Sequence, residues 1–159
     1  MAEESPCKPR ILLVDDDLHI SNLLSKKLSP KGFACRCCSS GEEALAALGQ
    51  ETFDAIISDL EMPGISGVEL LEQARKKYPH SAFLMATGVD DVPVGAQAMK
   101  KGADDYLVKP FNLEAVEVSV QRALEEKRME LDLDNYRQNL EQMVDQRREQ
   151  LQTAARANS

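Results

Sequence analysis

Short apolar runs alternate with amphipathic stretches through most of the chain. Five runs are almost continuously apolar, which is typical of strands buried on both faces of a parallel sheet. The predicted strands are residues 10–15, 33–38, 54–58, 82–87 and 104–108. Between them, apolar residues recur at spacings of three and four, which predicts helices. The apolar faces of the first three helices are Ile20, Leu23, Leu24 and Leu28; Ala44, Leu45 and Leu48; and Val68, Leu71 and Ala74.

Two predicted helices begin with a Ser-x-x-Glu sequence, Ser40 with Glu43 and Ser66 with Glu69. In this capping box, the two side chains satisfy amide hydrogens that the first helical turn leaves without partners. Alternation of strand and helix predicts an α/β fold, with helices on both faces of a five-stranded parallel sheet. Because crossovers in such sheets are right-handed, the expected architecture is a doubly wound sandwich.

The C-terminal part of the chain is predicted to form one long helix. Asn112 is a suitable N-cap, and neither Pro nor Gly occurs from residue 111 to Ser159. A sheet of roughly 17–20 Å cannot cover a helix of about 45 residues, which is about 65 Å long. The remaining apolar residues recur at spacings of three, four and seven, which favours pairing with a second copy, whereas the alternative is a helix that frays beyond about residue 130. They are Leu133, Tyr136, Leu140, Met143, Val144 and Leu151.

Length and composition limit the class of protein. The 159 residues suffice for one ordinary domain and a modest extra segment. No run approaches the roughly 18 apolar residues of a membrane span. The N-terminal sequence MAEESPCKPR is acidic and lacks an apolar stretch, so we do not expect a secretory signal. The expected location is the cytoplasm.

The net charge of -8 argues against direct contact with nucleic acid, which requires clustered Lys and Arg. The four cysteines are Cys7, Cys35, Cys37 and Cys38. They lack CxxC spacing and a nearby histidine, so reduced structural thiols are favoured over zinc ligands or disulfides.

Polar residues end four of the five predicted strands. The first run stops at Asp15 and Asp16, the third at Asp59, the fourth at Thr87 and the fifth at Lys109. Ligands of open parallel sheets bind at the carboxyl ends of the strands. We therefore expect these side chains to meet in one site.

Three aspartates in one place would repel one another unless a cation lies between them. Because the candidate ligands are all oxygen atoms, the expected ion is Mg²⁺, which often binds phosphate as well. Lys109 and Thr87 can hold phosphoryl oxygens while charge shifts during transfer. The central Asp59 is the predicted nucleophile, which would become an acyl phosphate. Asp17, which directly precedes a helix, is predicted to be its N-cap.

Four motifs together resemble the receiver domain of bacterial two-component response regulators. They are ILLVDDD at 11–17, DLEMPGISG at 59–67, the Thr of MATG at 85–88 and DYLVKPF at 105–111. The resemblance spans residues 10 to about 126. It implies a flavodoxin-like fold of strand order 2-1-3-4-5 and phosphorylation by a sensor histidine kinase or phosphotransfer protein. Such a domain is not an enzyme, although it supports its own phosphotransfer and slow dephosphorylation.

The resemblance also implies a role for each matched residue at the metal. Asp59 matches the phosphoacceptor, and Asp15 with Asp16 matches the acidic pair that holds the ion. Glu61 matches the residue whose backbone carbonyl completes the metal shell.

A second group of matched residues belongs to the family's switch. Thr87 matches the switch hydroxyl, and Lys109 matches the lysine that pairs with phosphate. Tyr106 matches the aromatic residue whose side chain moves between outward and inward positions. The bond between Lys109 and Pro110 is cis in this family.

The predicted organisation has three parts: an N-terminal tail at 1–9, a receiver domain at 10–126 and a helical extension at 127–159. The segment DNYRQNLEQMVDQRREQL resembles the helical linker that follows receivers driving an enzymatic domain, including HD-GYP phosphodiesterases. The extension is thus predicted to be a coiled coil that forms a homodimer, or a linker to an output domain missing from this sequence.

Two other functions are compatible with parts of the sequence. Asp15 and Asp17 satisfy the Asp-x-Asp arrangement of haloacid-dehalogenase-like phosphatases, but Leu18 and His19 stand where that family needs a threonine. A receiver that no longer signals and serves only as a helical dimeriser is the other alternative. Four further aspartates are interpreted as capping or solvated residues: Asp90, Asp91, Asp104 and Asp105.

Overall fold

The computed structural model describes residues 8–88 and 92–157. Its five strands are β1 (Arg10–Val14), β2 (Ala34–Cys38), β3 (Ala55–Asp59), β4 (Ala82–Thr87) and β5 (Asp105–Val108). Its helices are α1 (Leu18–Leu28), α2 (Gly41–Gln50), α3 (Gly67–Lys77), α4 (Val92–Lys100) and α5 (Leu113–Ala157), with a short 3-10 turn at Ser29–Lys31. The predictions for Cys7, Asp90 and Asp91 lie outside the described residues.

All five strands are parallel and follow the order β2-β1-β3-β4-β5, which confirms the predicted flavodoxin-like topology. Successive residues of a strand point to opposite faces of the sheet. Leu12 and Val14 accordingly belong to one core cluster, whereas Ile11 and Leu13 belong to another. The central strands β1, β3 and β4 are therefore buried on both faces, which explains why they are almost continuously apolar, whereas the edge strands β2 and β5 are only partly buried.

The helix N-termini confirm most of the predicted caps. Ser66 and Glu69 form the complete capping box. At α2 only half of the box forms, because Ser40 accepts from the amide of Glu43 but the Glu43 carboxylate accepts from the hydroxyl of Ser39 at 2.8 Å. The prediction of a second full box was wrong, since a neighbouring hydroxyl competes for the same carboxylate.

The two other predicted N-caps are present. Asp17 Oδ1 accepts from the amide of His19 at 3.0 Å at the start of α1. Asn112 Oδ1 accepts from the amides of Glu114 and Ala115 at 3.0 and 3.2 Å at the start of α5. Both side chains satisfy first-turn donors, as their positions predicted.

The helix α5 runs from Leu113 to Ala157. Val116, Val120 and Ala123 are buried in a core cluster. The chain divides into two compact units after Lys127. None of the helices within 8–88 and 92–157 combines the length and apolarity needed to cross a membrane. Exposed apolar residues of the second unit are Met129, Leu131, Leu133, Tyr136, Leu140, Met143, Val144 and Leu151.

Asp104 lies in a network of ion pairs, so its interpretation as a capping or solvated residue was wrong. Its carboxylate pairs with Arg75 of α3, accepts from the amide of Phe83 at 2.8 Å and lies 3.3 Å from Lys127 Nζ of α5. Arg75 also donates to the carbonyl of Ser81 at 2.6 Å. These contacts connect α3, β4 and α5 at the amino edge of the sheet.

The cysteines in the described part of the chain, Cys35, Cys37 and Cys38, are free thiols. Burial, reinforced by the negative charge of Glu43, raises the pKa of Cys38 to about 11. A thiol with this pKa remains protonated at neutral pH, where it acts as a small apolar side chain.

Candidate metal and phosphoryl site

Three aspartates meet at the carboxyl edge of the sheet. In the pairing of β1 with β3, Val14 lies opposite Ser58, so the residues that follow these two reach the same edge. Asp15, Asp16 and Asp59 each place a carboxylate oxygen within 4.8 Å of the other two. The predicted convergence of these side chains is confirmed.

Hydrogen bonds orient the carboxylate of Asp15, which is buried. Its Oδ1 accepts from the amide of Asp17 at 2.8 Å, and its Oδ2 accepts from Lys109 Nζ at 2.9 Å. The amide of Asp15 itself donates to the carbonyl of Cys38 on β2 at 3.1 Å. Asp15 is thus held at both its backbone and its side chain.

Lys109 reaches the aspartates from the end of β5. Its amide donates to the carbonyl of Thr87 at 2.7 Å, and the bond to Pro110 is cis. Its Nζ lies 3.2 Å from Asp59 Oδ1 in addition to its contact with Asp15. Burial lowers the pKa of Lys109, but the hydrogen bond to Asp15 and the charges of both carboxylates outweigh burial and raise it overall.

The surroundings of Asp59 disfavour its negative charge. Burial raises the pKa of Asp59, the charge of Asp15 raises it further, and Lys109 opposes both effects. When ionised, the three carboxylates outnumber the one ammonium group and leave two negative charges. Oxygen ligands with this excess charge fit a divalent cation such as Mg²⁺. The donor set is therefore suitable for the predicted ion.

Thr87 ends β4 and is fully buried. Its hydroxyl has no hydrogen-bond partner among the residues that the structure describes. A buried hydroxyl without a partner is costly, so it is a donor that a ligand can use. Tyr106, opposite Met85 in the pairing of β4 with β5, is partly buried against one of the cores.

Glu61 in the loop after β3 and Gly67 at the start of α3 complete the description of the site. The Glu61 side chain is exposed, and the role of its backbone carbonyl as a ligand stays a prediction. Sequence reasoning missed Gly67 at the start of α3. A Cβ on this residue would lie 2.2 Å from the carbonyl oxygen of Asp59 and 2.9 Å from Met85 Sδ. Only glycine lets α3 approach the backbone of Asp59 so closely.

Fold and site together define a doubly wound α/β domain with an acidic pocket at the carboxyl edge of its sheet. The family model for the response regulator receiver domain matches residues 11–121. The chain belongs to this family of two-component signalling domains, whose members are typically non-enzymatic and partner with histidine kinases.

Curated relatives are much longer than this chain. The DNA-binding transcriptional regulator NtrC of Salmonella typhimurium is 36% identical over 114 residues, which are 72% of this chain and 24% of that protein. The response regulator protein FleR of Pseudomonas aeruginosa is 41% identical over 107 residues, or 67% of this chain and 23% of that protein. The chain thus spans about a quarter of the length of these relatives.

Solved structures match the fold over most of the chain. A response regulator receiver domain protein from Clostridium thermocellum has a TM-score of 0.72 and 30% identity, with 76% of this chain and 98% of that chain covered. A structure described as adenylate cyclase from Rhodopirellula baltica has a TM-score of 0.76 and 32% identity, with 80% and 96% covered.

Proposed function

We propose that Asp59 accepts a phosphoryl group from a phosphohistidine of a sensor histidine kinase or phosphotransfer protein. In this step an Asp59 carboxylate oxygen forms a bond to phosphorus as the P–N bond breaks. The imidazole leaves with the electron pair of that bond. The observation that carries the proposal is the position of Asp59 beside Asp15, Asp16 and Lys109 at the carboxyl edge of the sheet.

The side chains of Asp15, Asp16 and Asp59, with the backbone carbonyl of Glu61, would hold Mg²⁺. When bound, Mg²⁺ supplies positive charge to the phosphoryl oxygens. The excess of carboxylates in the pocket supports this assignment. Lys109 already contacts Asp59 and is well placed to pair with a phosphoryl oxygen on it.

The proposed response to phosphorylation begins at Thr87, whose hydroxyl would donate to a phosphoryl oxygen. Tyr106 would then fill the space that Thr87 leaves, which changes the surface formed by α4, β5 and α5. Attack of water on phosphorus would later release inorganic phosphate and restore the Asp59 carboxylate. The buried hydroxyl of Thr87, which lacks a partner among the described residues, supports this sequence of events.

Incubation with acetyl phosphate and Mg²⁺, followed by intact-protein mass spectrometry, tests the phosphoacceptor. We expect one added phosphoryl group in the wild type and none in Asp59→Asn, which keeps the shape of the side chain but removes the nucleophile. Asp15→Asn should still be labelled at saturating Mg²⁺. Labelling that persists in Asp59→Asn and is lost in Asp15→Asn would instead indicate the haloacid-dehalogenase-like phosphatase.

We further propose that residues 10–126 act as the receiver and that residues 127–159 pair with a second copy of the chain. The exposed apolar residues of the second unit, including Leu133 and Leu140, support pairing because their spacings suit a coiled coil. Sedimentation velocity of the full chain, free and with beryllofluoride, tests this. Leu133→Asp combined with Leu140→Asp should give a monomer, and a wild-type monomer under both conditions would refute the dimer.

The remaining proposals concern location and partners. Relatives named as DNA-binding regulators are about four times as long as the aligned region. We propose that this segment does not itself contact DNA, since its net charge is -8, and that it acts in the cytoplasm on a separate or attached output. Binding of the isolated segment to random duplex DNA at low salt would contradict this proposal.

A further inference from the structure

The backbone of α4 lies unusually close to Thr87. A Cβ placed on Gly95 would lie 3.0 Å from Cγ2 of Thr87 and 3.6 Å from Cδ2 of Tyr106. The first distance is shorter than an ordinary contact between carbon atoms. Gly95 therefore leaves room that any other residue would occupy.

Helix formation does not explain this glycine. Glycine is less favourable than alanine inside a helix, and α4 also contains Pro93 near its start. Gly49 of α2 provides a comparison, because a Cβ there would meet nothing within 4 Å. The requirement at position 95 is thus the close approach of α4 to its neighbours.

We propose that Gly95 is a positioning residue that sets the resting position of Thr87. Without a side chain at 95, the Thr87 methyl group can rest against α4. In this position its hydroxyl is buried and has no partner among the described residues, so it is not bonded to Asp59. The inference rests on the proposed role of Thr87 as the donor to a phosphoryl group on Asp59.

A methyl group at position 95 would crowd Cγ2 of Thr87 and so destabilise the resting position. A position of Thr87 nearer to Asp59 would lose this contact and be favoured in comparison. Gly95→Ala should therefore bind a phosphoryl analogue more tightly, by about five- to tenfold for an ordinary degree of overpacking.

The test is a calorimetric titration of the full chain with beryllofluoride in the presence of Mg²⁺. Gly49→Ala is the matched control, because it adds the same methyl group to a helix without a new contact, and it should bind like the wild type. Tighter beryllofluoride binding by Gly95→Ala, with unchanged binding by Gly49→Ala, supports the inference. Unchanged or weaker binding by Gly95→Ala overturns it.

Thr87→Ser separates the contact with Thr87 from the contact with Tyr106. Serine keeps the hydroxyl but lacks Cγ2, so Gly95→Ala should no longer tighten binding in this background. A tightening that persists there overturns the assignment to Thr87. If the single variant Gly95→Ala fails to fold, the double variant with Thr87→Ser must fold. Failure of the double variant to fold would also overturn the inference. Absence of binding by the wild type would refute the phosphoacceptor proposal itself.

Discussion

Lys109→Met tests whether one ammonium group holds the acidic pocket together. Lys109 Nζ lies 2.9 Å from Asp15 Oδ2 and 3.2 Å from Asp59 Oδ1. Methionine has a similar length and keeps much of the packing, but it removes the charge. The two carboxylates would then face each other without this cation. Because the ammonium opposes the effects of burial and of Asp15, its loss should raise the pKa of Asp59 further.

The size of the effect follows from distance and burial. At about 3 Å, each contact is worth about 5 kcal/mol of Coulomb energy at an effective dielectric constant of 20. Loss of one partner from a fully buried pair costs about 3–5 kcal/mol. The Lys109 side chain is 23% exposed, so we expect a smaller loss of about 2 kcal/mol. For a domain of this size, that lowers Tm by roughly 6–10 °C.

Magnesium provides the second measurement. In the wild type, Lys109 and Mg²⁺ share the same carboxylates, whereas in Lys109→Met the ion has them alone. Differential scanning calorimetry in EDTA and in saturating Mg²⁺ should therefore show a larger gain in Tm for Lys109→Met than for the wild type.

Lys101→Met is the matched control. Lys101 Nζ lies 3.7 Å from Glu72 on the surface, where both side chains are about half exposed. Its loss should cost at most about 0.5 kcal/mol. The reasoning about the pocket is refuted if both variants lose the same Tm, or if Mg²⁺ stabilises Lys109→Met no more than the wild type.

Three other predictions concern stability. Gly67→Ala places a methyl group 2.2 Å from the carbonyl oxygen of Asp59 and should destabilise the fold by about 3 kcal/mol in urea titration. Arg75→Met leaves the partly buried Asp104 with Lys127 but without its arginine, and should cost about 2 kcal/mol in the same assay. The raised pKa of Cys38 makes stability fall as pH rises from 9.0 towards about 11, because the unfolded thiol ionises first. Cys38→Ala should make the free energy of unfolding depend less steeply on pH, as measured by denaturation curves across that range.

Each of these has a result that would contradict it. Gly49→Ala should be neutral or stabilising, so an equal loss in both glycine variants would exclude steric crowding at Gly67. Arg122→Met, at an exposed position of α5, is the control for Arg75→Met. Comparable losses of stability in the two variants would show that the ion pairs of Asp104 contribute little. For Cys38, an unchanged slope in the alanine variant would assign the pH dependence to other groups.

The sequence was most informative where a physical rule connects pattern to position. Strands buried on both faces must be apolar throughout, so β4 was predicted with both its ends correct. The convergence of Asp15 with Asp59 follows from parallel pairing, which brings the carboxyl ends of neighbouring strands to one edge. Neither result needed knowledge of side-chain packing.

Packing between elements distant in the chain was not predictable in this way. Asp104 pairs with Arg75, which lies 29 residues away in the chain. The spacing of apolar residues predicts helices and strands, but it does not predict which helix lies near the end of which strand. The sequence alone does not distinguish Gly67 and Gly95 from other glycines, because the close approach that each permits depends on neighbours from other elements. At Glu43 the capping-box sequence was present, but the hydroxyl of Ser39, four residues earlier, donates to the Glu43 carboxylate instead.

The network of Asp104, Arg75 and Lys127 lies at the amino edge of the sheet, opposite the aspartates. It shares no residue with the acidic pocket, so an engineer can vary the two rims separately. A library that varies the phosphoryl chemistry proposed for the acidic pocket can be confined to the carboxyl rim. Thermal stability can then be adjusted at the amino rim, through Asp104, Arg75 and Lys127.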